Sequence, residues 1–295
     1  VDGKPTGDPT DLAINTHGHM VASIAVSSSN NAEGIAGVAW GSRLMFIQVF
    51  PARQAYASDI AGAIEYATLQ GADIINMSIS APENPMIRSA LDFASNRGRV
   101  LVASGGNLNI LVETDQFVLP KMHPNVLAIG ALTSQDKRAP YSNYGSKIEL
   151  YAPGGSADPA TGLCVSGPIQ DTQTDRCIRV GHPAGGYSLV GGTSFSAPHV
   201  AGVAALVLSQ FPGMTTAQVR QRLIDTADIA DPLLKDPGGN PLCGGNPACS
   251  RKLNAQRAVG VPPDSPSSIL IDGQPISPWQ NIGSYALGWT PPTHH

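Results

Sequence analysis

The chain has 295 residues, of which 42% are hydrophobic and 14% charged, and its formal net charge at pH 7 is -4. This composition can bury one large core and excludes a mainly disordered chain. The acidic balance excludes a basic surface for nucleic acid, and no apolar run reaches the roughly 20 residues that a membrane-spanning helix needs.

Apolar strand patterns alternate with helical patterns along the first half of the chain. The strand signals are at 43–50, 73–79, 100–104 and 126–131. One helix is predicted to begin near Ser58, with Ile60, Ala63, Ile64 and Ala67 on one face, and the next is predicted to end at Gly98. Such alternation predicts a parallel sheet with crossover helices, and therefore an α/β fold.

The second half begins with a long region, 141–190, that is predicted to be irregular. Residues 194–210 follow and are rich in Ala, Val and Leu with almost no charge, which predicts a helix buried on most sides. Residues 215–227 have the pattern of an amphipathic surface helix. We predict one main domain over 1–260 and a Pro-rich C-terminal extension over 261–295.

The four cysteines form two local pairs, Cys164 with Cys177 and Cys243 with Cys249, in loop-like surroundings. We predict two disulfides, although four cysteines permit three pairings. A zinc site is the alternative, but there is no C-x-x-C pair and no His beside these cysteines. Disulfides imply an oxidising compartment, so we expect a secreted or extracellular protein, with the periplasm or the cell surface as alternatives.

Ser194 opens the apolar helix directly after Gly191, Gly192 and Thr193. The unpaired amides and the dipole at a helix N-terminus favour a developing oxyanion, which makes this serine a candidate nucleophile. Taken alone, a serine at a helix start is more often only a cap.

Two further segments contain candidate catalytic groups. His17 begins another helix of small residues, and a neutral imidazole there can accept a proton from a hydroxyl group. Asn107 follows Gly105 and Gly106 at the end of a strand, and its carboxamide can donate to an oxyanion. Individually, a structural His and a turn Asn are the more common interpretations.

The three segments together resemble, in sequence and order, the subtilisin-like serine proteases, or subtilases. The segment GGTSFSAPHVAGVAALV is similar to the family pattern G-T-S-x-x-A-P-H-V-A-G. The resemblance implies a three-layer α/β/α fold with a mostly parallel sheet. It also implies that Ser194 is the nucleophile, His17 the general base and Asn107 an oxyanion donor, while His199 is structural.

The resemblance extends from about His17 to Val259 and also implies a substrate cleft. Two short segments are expected to bracket the substrate, with Ser78, Ile79 and Ser80 on one side and Ser104, Gly105 and Gly106 on the other. The first segment would pair with the substrate backbone as an added strand. Between them we expect a specificity pocket for an apolar side chain.

The implied reaction is acyl transfer to a peptide carbonyl. Ser194 attacks as His17 takes its proton, an acyl-enzyme forms, and water releases it. The expected partner is a polypeptide substrate, with no nucleic acid, no membrane span and no required cofactor. Calcium is conceivable at 29–33, where Asn and Glu supply oxygen ligands, but the segment lacks the acid density of a tight site and a solvated loop is favoured.

The acid that orients the base is not identifiable. In the family it ends a buried apolar strand well before the His, whereas Asp2, Asp8 and Asp11 follow no such strand. Either the first strand has been cut away with the N-terminus, or the acid comes from another chain, or the chain is a pseudoprotease that binds peptides. We favour the first, so a propeptide or a complementary N-terminal segment is a candidate partner.

An esterase of the α/β-hydrolase type is a further alternative. That fold places its nucleophile in G-x-S-x-G and orders its catalytic residues as Ser, Asp, His. Ser194 lacks that motif and His17 precedes it in the chain, so this alternative is rejected.

Overall fold

The computed structural model describes residues 16–32, 34–50, 55–156, 177–182, 185–230 and 233–260, and two short strands beyond them. The helices are α1 (His17–Val26), α2 (Ala57–Leu69), α3 (Pro85–Asn96), α4 (Thr193–Gln210), α5 (Thr216–Asp225) and α6 (Ala255–Ala258). The strands are β1 (Ile74–Met77), β2 (Val100–Ser104), β3 (Val126–Leu132), β4 (Leu150–Pro153), β5 (Ile178–Gly181), β6 (Tyr187–Val190), β7 (Asp228–Ile229), β8 (Arg251–Lys252), β9 (Leu270–Ile271) and β10 (Gln274–Pro275).

A six-stranded sheet in the order β1-β2-β3-β4-β8-β7 forms the centre of the fold. Its strand pairs are parallel except for β7 with β8. Every residue of β2 and of β3 is buried, as expected for parallel strands that are covered on both faces. The carboxyl ends of β1 and β2 lie at the same edge of the sheet, where α/β folds commonly place their ligand sites.

Helices cover both faces of this sheet. Because successive side chains of a strand point to opposite faces, Leu101 joins the core formed with α2 and α3, whereas Val102 joins the core formed with α4 and α5. The predicted three-layer α/β/α architecture with a mostly parallel sheet is therefore confirmed.

Local signals explain where several helices begin and end. The side chain of Asn84 caps α3 by accepting a hydrogen bond from the Met86 amide, and Gly98 follows the helix with φ +70°. Thr215 and Gln218 form a capping box at the start of α5. In α2 the structure places the N-cap at Tyr56 rather than at the predicted Ser58.

Two predictions about strands are wrong. Residues 43–50 form no strand, and Leu44 and Met45 are 55% and 40% exposed. An apolar run becomes a strand only where another strand supplies hydrogen bonds, and none of the strands described here pairs with this segment. The region 141–190, predicted to be irregular, contains β4, β5 and β6.

The structure contains the predicted disulfide between Cys243 and Cys249, whose Cα atoms are 6.2 Å apart. Cys177 is also disulfide-bonded, while Cys164 lies outside the described residues. Over the part of the chain that the structure describes, no helix has the length and apolarity to cross a membrane. The predicted boundary at residue 260 stays a prediction; beyond it, β9 and β10 pair antiparallel.

Candidate active site

Ser194 occupies the first turn of α4, after Gly192, whose φ of +153° suits glycine. The Ser194 hydroxyl donates to the backbone carbonyl of Ser78 at 3.5 Å, and the Ser78 hydroxyl donates to the Ser194 carbonyl at 2.7 Å. The candidate nucleophile is thus placed against the residue that follows β1.

His17 is the first residue of α1, and this helix packs along α4. The imidazole contacts the ring of Phe195, with ring centroids 5.5 Å apart and planes tilted by 57°. Phe195 is buried with Val21 and Ile24 of α1, so the same apolar cluster joins the two helices. The fold therefore brings the candidate base beside the residue that follows the candidate nucleophile.

Asn107 follows the end of β2 and reaches the start of α4. Its Oδ1 accepts hydrogen bonds from the backbone N–H of Thr193 at 2.9 Å and from the Thr193 hydroxyl at 2.8 Å. Its Nδ2 lies 3.7 Å from the position that a Cβ on Gly192 would take. Thr193 thus holds Oδ1, while Nδ2 lies near Gly192, the N-cap of α4.

The two segments predicted to bracket a substrate lie next to each other. The Ser104 hydroxyl donates to the backbone carbonyl of Ile79 at 3.5 Å. Ser78 and Ser104 are buried, Ile79 is partly buried and Ser80 is exposed. Gly105 and Gly106 are both buried at the end of β2. Their role in substrate binding stays a prediction.

The sequence analysis missed Thr193 as a functional residue. Its side chain is fully buried, and its hydroxyl both donates to Asn107 and accepts from the Gly106 amide at 3.2 Å. Its position directly before Ser194 was the available signal. Its hydrogen-bond partner, Asn107, is 86 residues away, and a single sequence does not show that the two residues meet.

Comparison with known proteins assigns the family. The family model described as the subtilase family matches residues 1–256. The chain belongs to the subtilase family. This membership confirms the resemblance on which the site was predicted.

Several curated relatives are similar to this subtilase. It is 36% identical over 223 residues to the thermophilic serine proteinase of Bacillus sp. (strain AK1), 34% over 225 residues to subtilisin DY of Bacillus licheniformis, and 36% over 214 residues to subtilisin of Bacillus pumilus. These alignments cover 75%, 75% and 72% of this chain, and 48%, 74% and 70% of the relatives. The chain therefore spans about half the length of the first relative.

Solved structures agree with the fold of this subtilase. It is similar to proteases from Pseudoalteromonas arctica PAMC 21717, with a TM-score of 0.65 and 29% identity over 82% of this chain and 70% of that one. It is also similar to the prenylagaramide maturation protease PagA, with a TM-score of 0.64 and 28% identity over 83% of this chain and 81% of that one.

His199, two turns into α4, has a structural environment in this subtilase. Its Nδ1–H donates to the Phe195 carbonyl at 2.8 Å. Burial lowers the pKa of His199 to about 4, so the ring is neutral near pH 7. A neutral imidazole bound to its own helix suits the structural role that was predicted.

A cavity of about 1020 Å³ lies on the α1 side of β1, which forms one edge of the sheet. It is lined by α1, α2, α4 and residues 42–50, and includes His17, Phe46, Ile64, Ile75, Met77 and Ala201. The lining is mostly apolar and includes the His17 side chain. The segment 43–50, which pairs with no described strand, also lines the cavity.

Residues 29–32 contribute little that would hold a metal in this subtilase. The Ser29 hydroxyl is buried and has no hydrogen-bond partner, whereas Glu33, the acid of the segment, lies outside the described residues. Among the described residues there is no group of three or more His, Cys, Asp or Glu that could hold an ion. The described part of the segment, residues 29–32, thus contains no carboxylate, the ligand that a tight calcium site needs.

Proposed function

We propose that this subtilase is a serine endopeptidase that cleaves peptide bonds through an acyl-enzyme on Ser194. His17 acts as the general base and later as the acid for the leaving amine. The Asn107 carboxamide and the backbone amide of Ser194 stabilise the tetrahedral oxyanion. A polypeptide is the substrate, and no cofactor takes part in the reaction.

The observation that carries this proposal is the contact between Asn107 and Thr193. An oxyanion donor is effective only when it is held in place before the charge develops. Thr193 fixes Oδ1 of Asn107 with two hydrogen bonds, at 2.9 and 2.8 Å, and the Nδ2 of the same carboxamide lies near Gly192, two residues before Ser194. A turn-forming asparagine would have no need of a partner at the start of α4.

The carboxylate that orients His17 is the second part of the proposal. We assign it to an extended apolar segment that enters the cavity beside β1 and ends next to His17. The lining of the cavity supports this assignment. It includes β1, which is an edge strand of the sheet, the apolar run at 43–50, which has no described strand partner, and the imidazole of His17. A propeptide or a complementary N-terminal segment is the proposed source of this apolar strand and its carboxylate.

Labelling with a fluorophosphonate probe tests the nucleophile and the base. The parental chain should be labelled, and both Ser194→Ala and His17→Ala should abolish labelling. A folded parental chain that takes no label, even with the Asp-terminated peptide described below, would contradict the endopeptidase proposal. Capture of peptides without labelling would instead favour the pseudoprotease.

A peptide pair tests the orienting carboxylate. A short apolar strand peptide ending in Asp should accelerate labelling of the parental chain, while the same peptide ending in Asn should not. Loss of the orienting carboxylate costs about 10⁴-fold in serine proteases, so a gain well above tenfold is expected even at partial occupancy. Equal effects of the two peptides would contradict the assignment of the acid to this cavity.

An oxidising compartment and a minor role for metals complete the proposal. The Cys243–Cys249 disulfide supports a secreted or extracellular location. Calcium takes no part in the reaction, and a solvated loop at 29–33 stays the prediction.

A further inference from the structure

The loop that presents Asn107 is fastened on both sides by one buried side chain, that of Asn143. Its Nδ2 donates to the Gly105 carbonyl at 3.0 Å, before Asn107 in the chain. Its Oδ1 accepts from the amides of Leu108 at 3.1 Å and Ile110 at 3.2 Å, after Asn107. Asn107 therefore lies at the crest of a loop whose two flanks share one carboxamide.

Asn143 also reaches the loop through its backbone. Its amide donates to the Gly106 carbonyl at 3.0 Å. Gly106 has φ +99°, and a Cβ built on it would lie 2.1 Å from Asn143 Nδ2. The carboxamide thus occupies space that only a glycine at position 106 leaves open.

Asp115 fixes the orientation of this carboxamide. Asn143 Nδ2 donates its second hydrogen to Asp115 Oδ2 at 2.7 Å, and Asp115 Oδ1 accepts from the Phe117 amide at 2.9 Å. Asn143 is fully buried and Asp115 is 3% exposed. All four hydrogen-bond positions of the carboxamide are used, and a flipped side chain would set its oxygen against a carboxylate and a carbonyl.

We propose that Asn143 and Asp115 are positioning residues that act on catalysis through Asn107. They hold the loop from Gly105 to Ile110 in the conformation that places Nδ2 of Asn107 at the oxyanion. This inference rests on the proposed function. Neither side chain touches a reacting group in the proposed mechanism. Their contribution arises because an oxyanion donor loses its effect when it is displaced by a fraction of an ångström.

A double-mutant cycle with Asn107 separates positioning from general stability. We expect Asn143→Ser to slow fluorophosphonate labelling of Ser194 by about 10- to 100-fold, and Asn107→Ala by about 10²- to 10³-fold. In the Asn107→Ala background, Asn143→Ser should cost less than about threefold, because the group it positions is already gone. Asp115→Asn, which keeps one of the two acceptor oxygens, should slow labelling less than Asp115→Ala does.

Ser142→Ala is the matched control. Ser142 is the neighbouring residue and equally buried. Its hydroxyl accepts from the Ala131 amide in β3 at 3.0 Å and donates to the Asn143 backbone carbonyl at 2.9 Å, but it bonds to no atom of the loop from Gly105 to Ile110. It should lower the melting temperature while leaving the labelling rate within about threefold of the parental value. The proposal is overturned if Asn143→Ser slows labelling equally in both backgrounds, or if Ser142→Ala slows it as much.

Hydrogen exchange keeps this inference separate from the proposed function. If the parental chain takes no label with or without the Asp-terminated peptide, the endopeptidase proposal fails, and the loop is judged by the exchange of the Leu108 and Ile110 amides. Asn143→Ser should speed that exchange by more than about tenfold and Ser142→Ala should not. Unchanged exchange in Asn143→Ser overturns the inference whether or not the chain is active.

Discussion

Thr193 donates two hydrogen bonds to the same oxygen, Oδ1 of Asn107, one from its backbone N–H at 2.9 Å and one from its hydroxyl at 2.8 Å. These bonds join the end of β2 to the first turn of α4. The proposed oxyanion donor and the proposed nucleophile are consequently parts of one rigid unit, although 86 residues separate Thr193 from Asn107.

Replacing the Thr193 hydroxyl tests that unit. Thr193→Val preserves the shape of the side chain but removes one of the two donors to Asn107, the hydroxyl, and leaves the Gly106 amide without its acceptor. An unsatisfied buried amide costs about 1–3 kcal/mol, and the loosened Asn107 should slow labelling by about tenfold. Thr193→Ser keeps the hydroxyl and should stay near the parental rate. Equal rates for the Val and Ser variants would show that Thr193 does not hold Asn107.

Gly106→Ala tests the contact between the loop and Asn143. An added Cβ would approach Asn143 Nδ2 to 2.1 Å and Asp115 Oδ2 to 2.8 Å, and the residue would also be strained at φ +99°. We expect a loss of more than about 2 kcal/mol in unfolding free energy and a large loss of labelling.

Gly71→Ala is the matched control for that substitution. Gly71 has φ +82°, but a Cβ there would meet nothing within 4 Å. It isolates the cost of backbone strain, about 1 kcal/mol, from the steric cost. If Gly106→Ala and Gly71→Ala lower the free energy of unfolding by the same amount, the clash with Asn143 does not destabilise the fold.

The sequence was a good guide wherever a signal was local. The apolar runs that became β2 and β3, the capped helix α3 and the buried helix α4 could all be recognised from periodicity and from their end residues. The run at 43–50 was wrongly predicted to be a strand. A strand also needs a neighbouring strand for its hydrogen bonds, and the spacing of apolar residues does not reveal whether one is present.

The candidate site was only partly predictable for the same reason. His17, Asn107 and Ser194 were found from family blocks, each of which is short and contiguous. The roles of Thr193 and Asn143 depend on pairings between distant segments, such as the 35 residues between Leu108 and Asn143. One sequence does not reveal which buried carboxamide faces which loop.

The Cys243–Cys249 disulfide should matter for stability and not for catalysis. It closes a short loop, with a sequence separation of 6, and neither cysteine contributes to the site around Ser194. Loop-closure entropy for such a loop corresponds to about 2 kcal/mol. The double variant Cys243→Ser, Cys249→Ser should unfold at a lower denaturant concentration and keep its labelling rate in conditions where it is folded. A lost labelling rate in the folded variant would contradict this.

The neutral, partly buried His199 should make the fold sensitive to acid. Its pKa in the folded chain is lowered to about 4, whereas an imidazole in the unfolded chain titrates near 6.5. Between these values the unfolded state binds more protons, so the stability contributed by His199 is complete above pH 6.5 and is lost as the pH falls towards 4.

His199→Asn removes the titrating group but retains a donor for the Phe195 carbonyl, which His199 Nδ1 now contacts at 2.8 Å. The variant should be less stable than the parental chain at pH 7, because a partly buried ring has been exchanged for a smaller side chain. Its melting temperature should fall less between pH 7 and pH 4.5, so the two curves should approach each other as the solution is acidified. Parallel curves over that interval would show that other groups, and not His199, determine the acid limit of the fold.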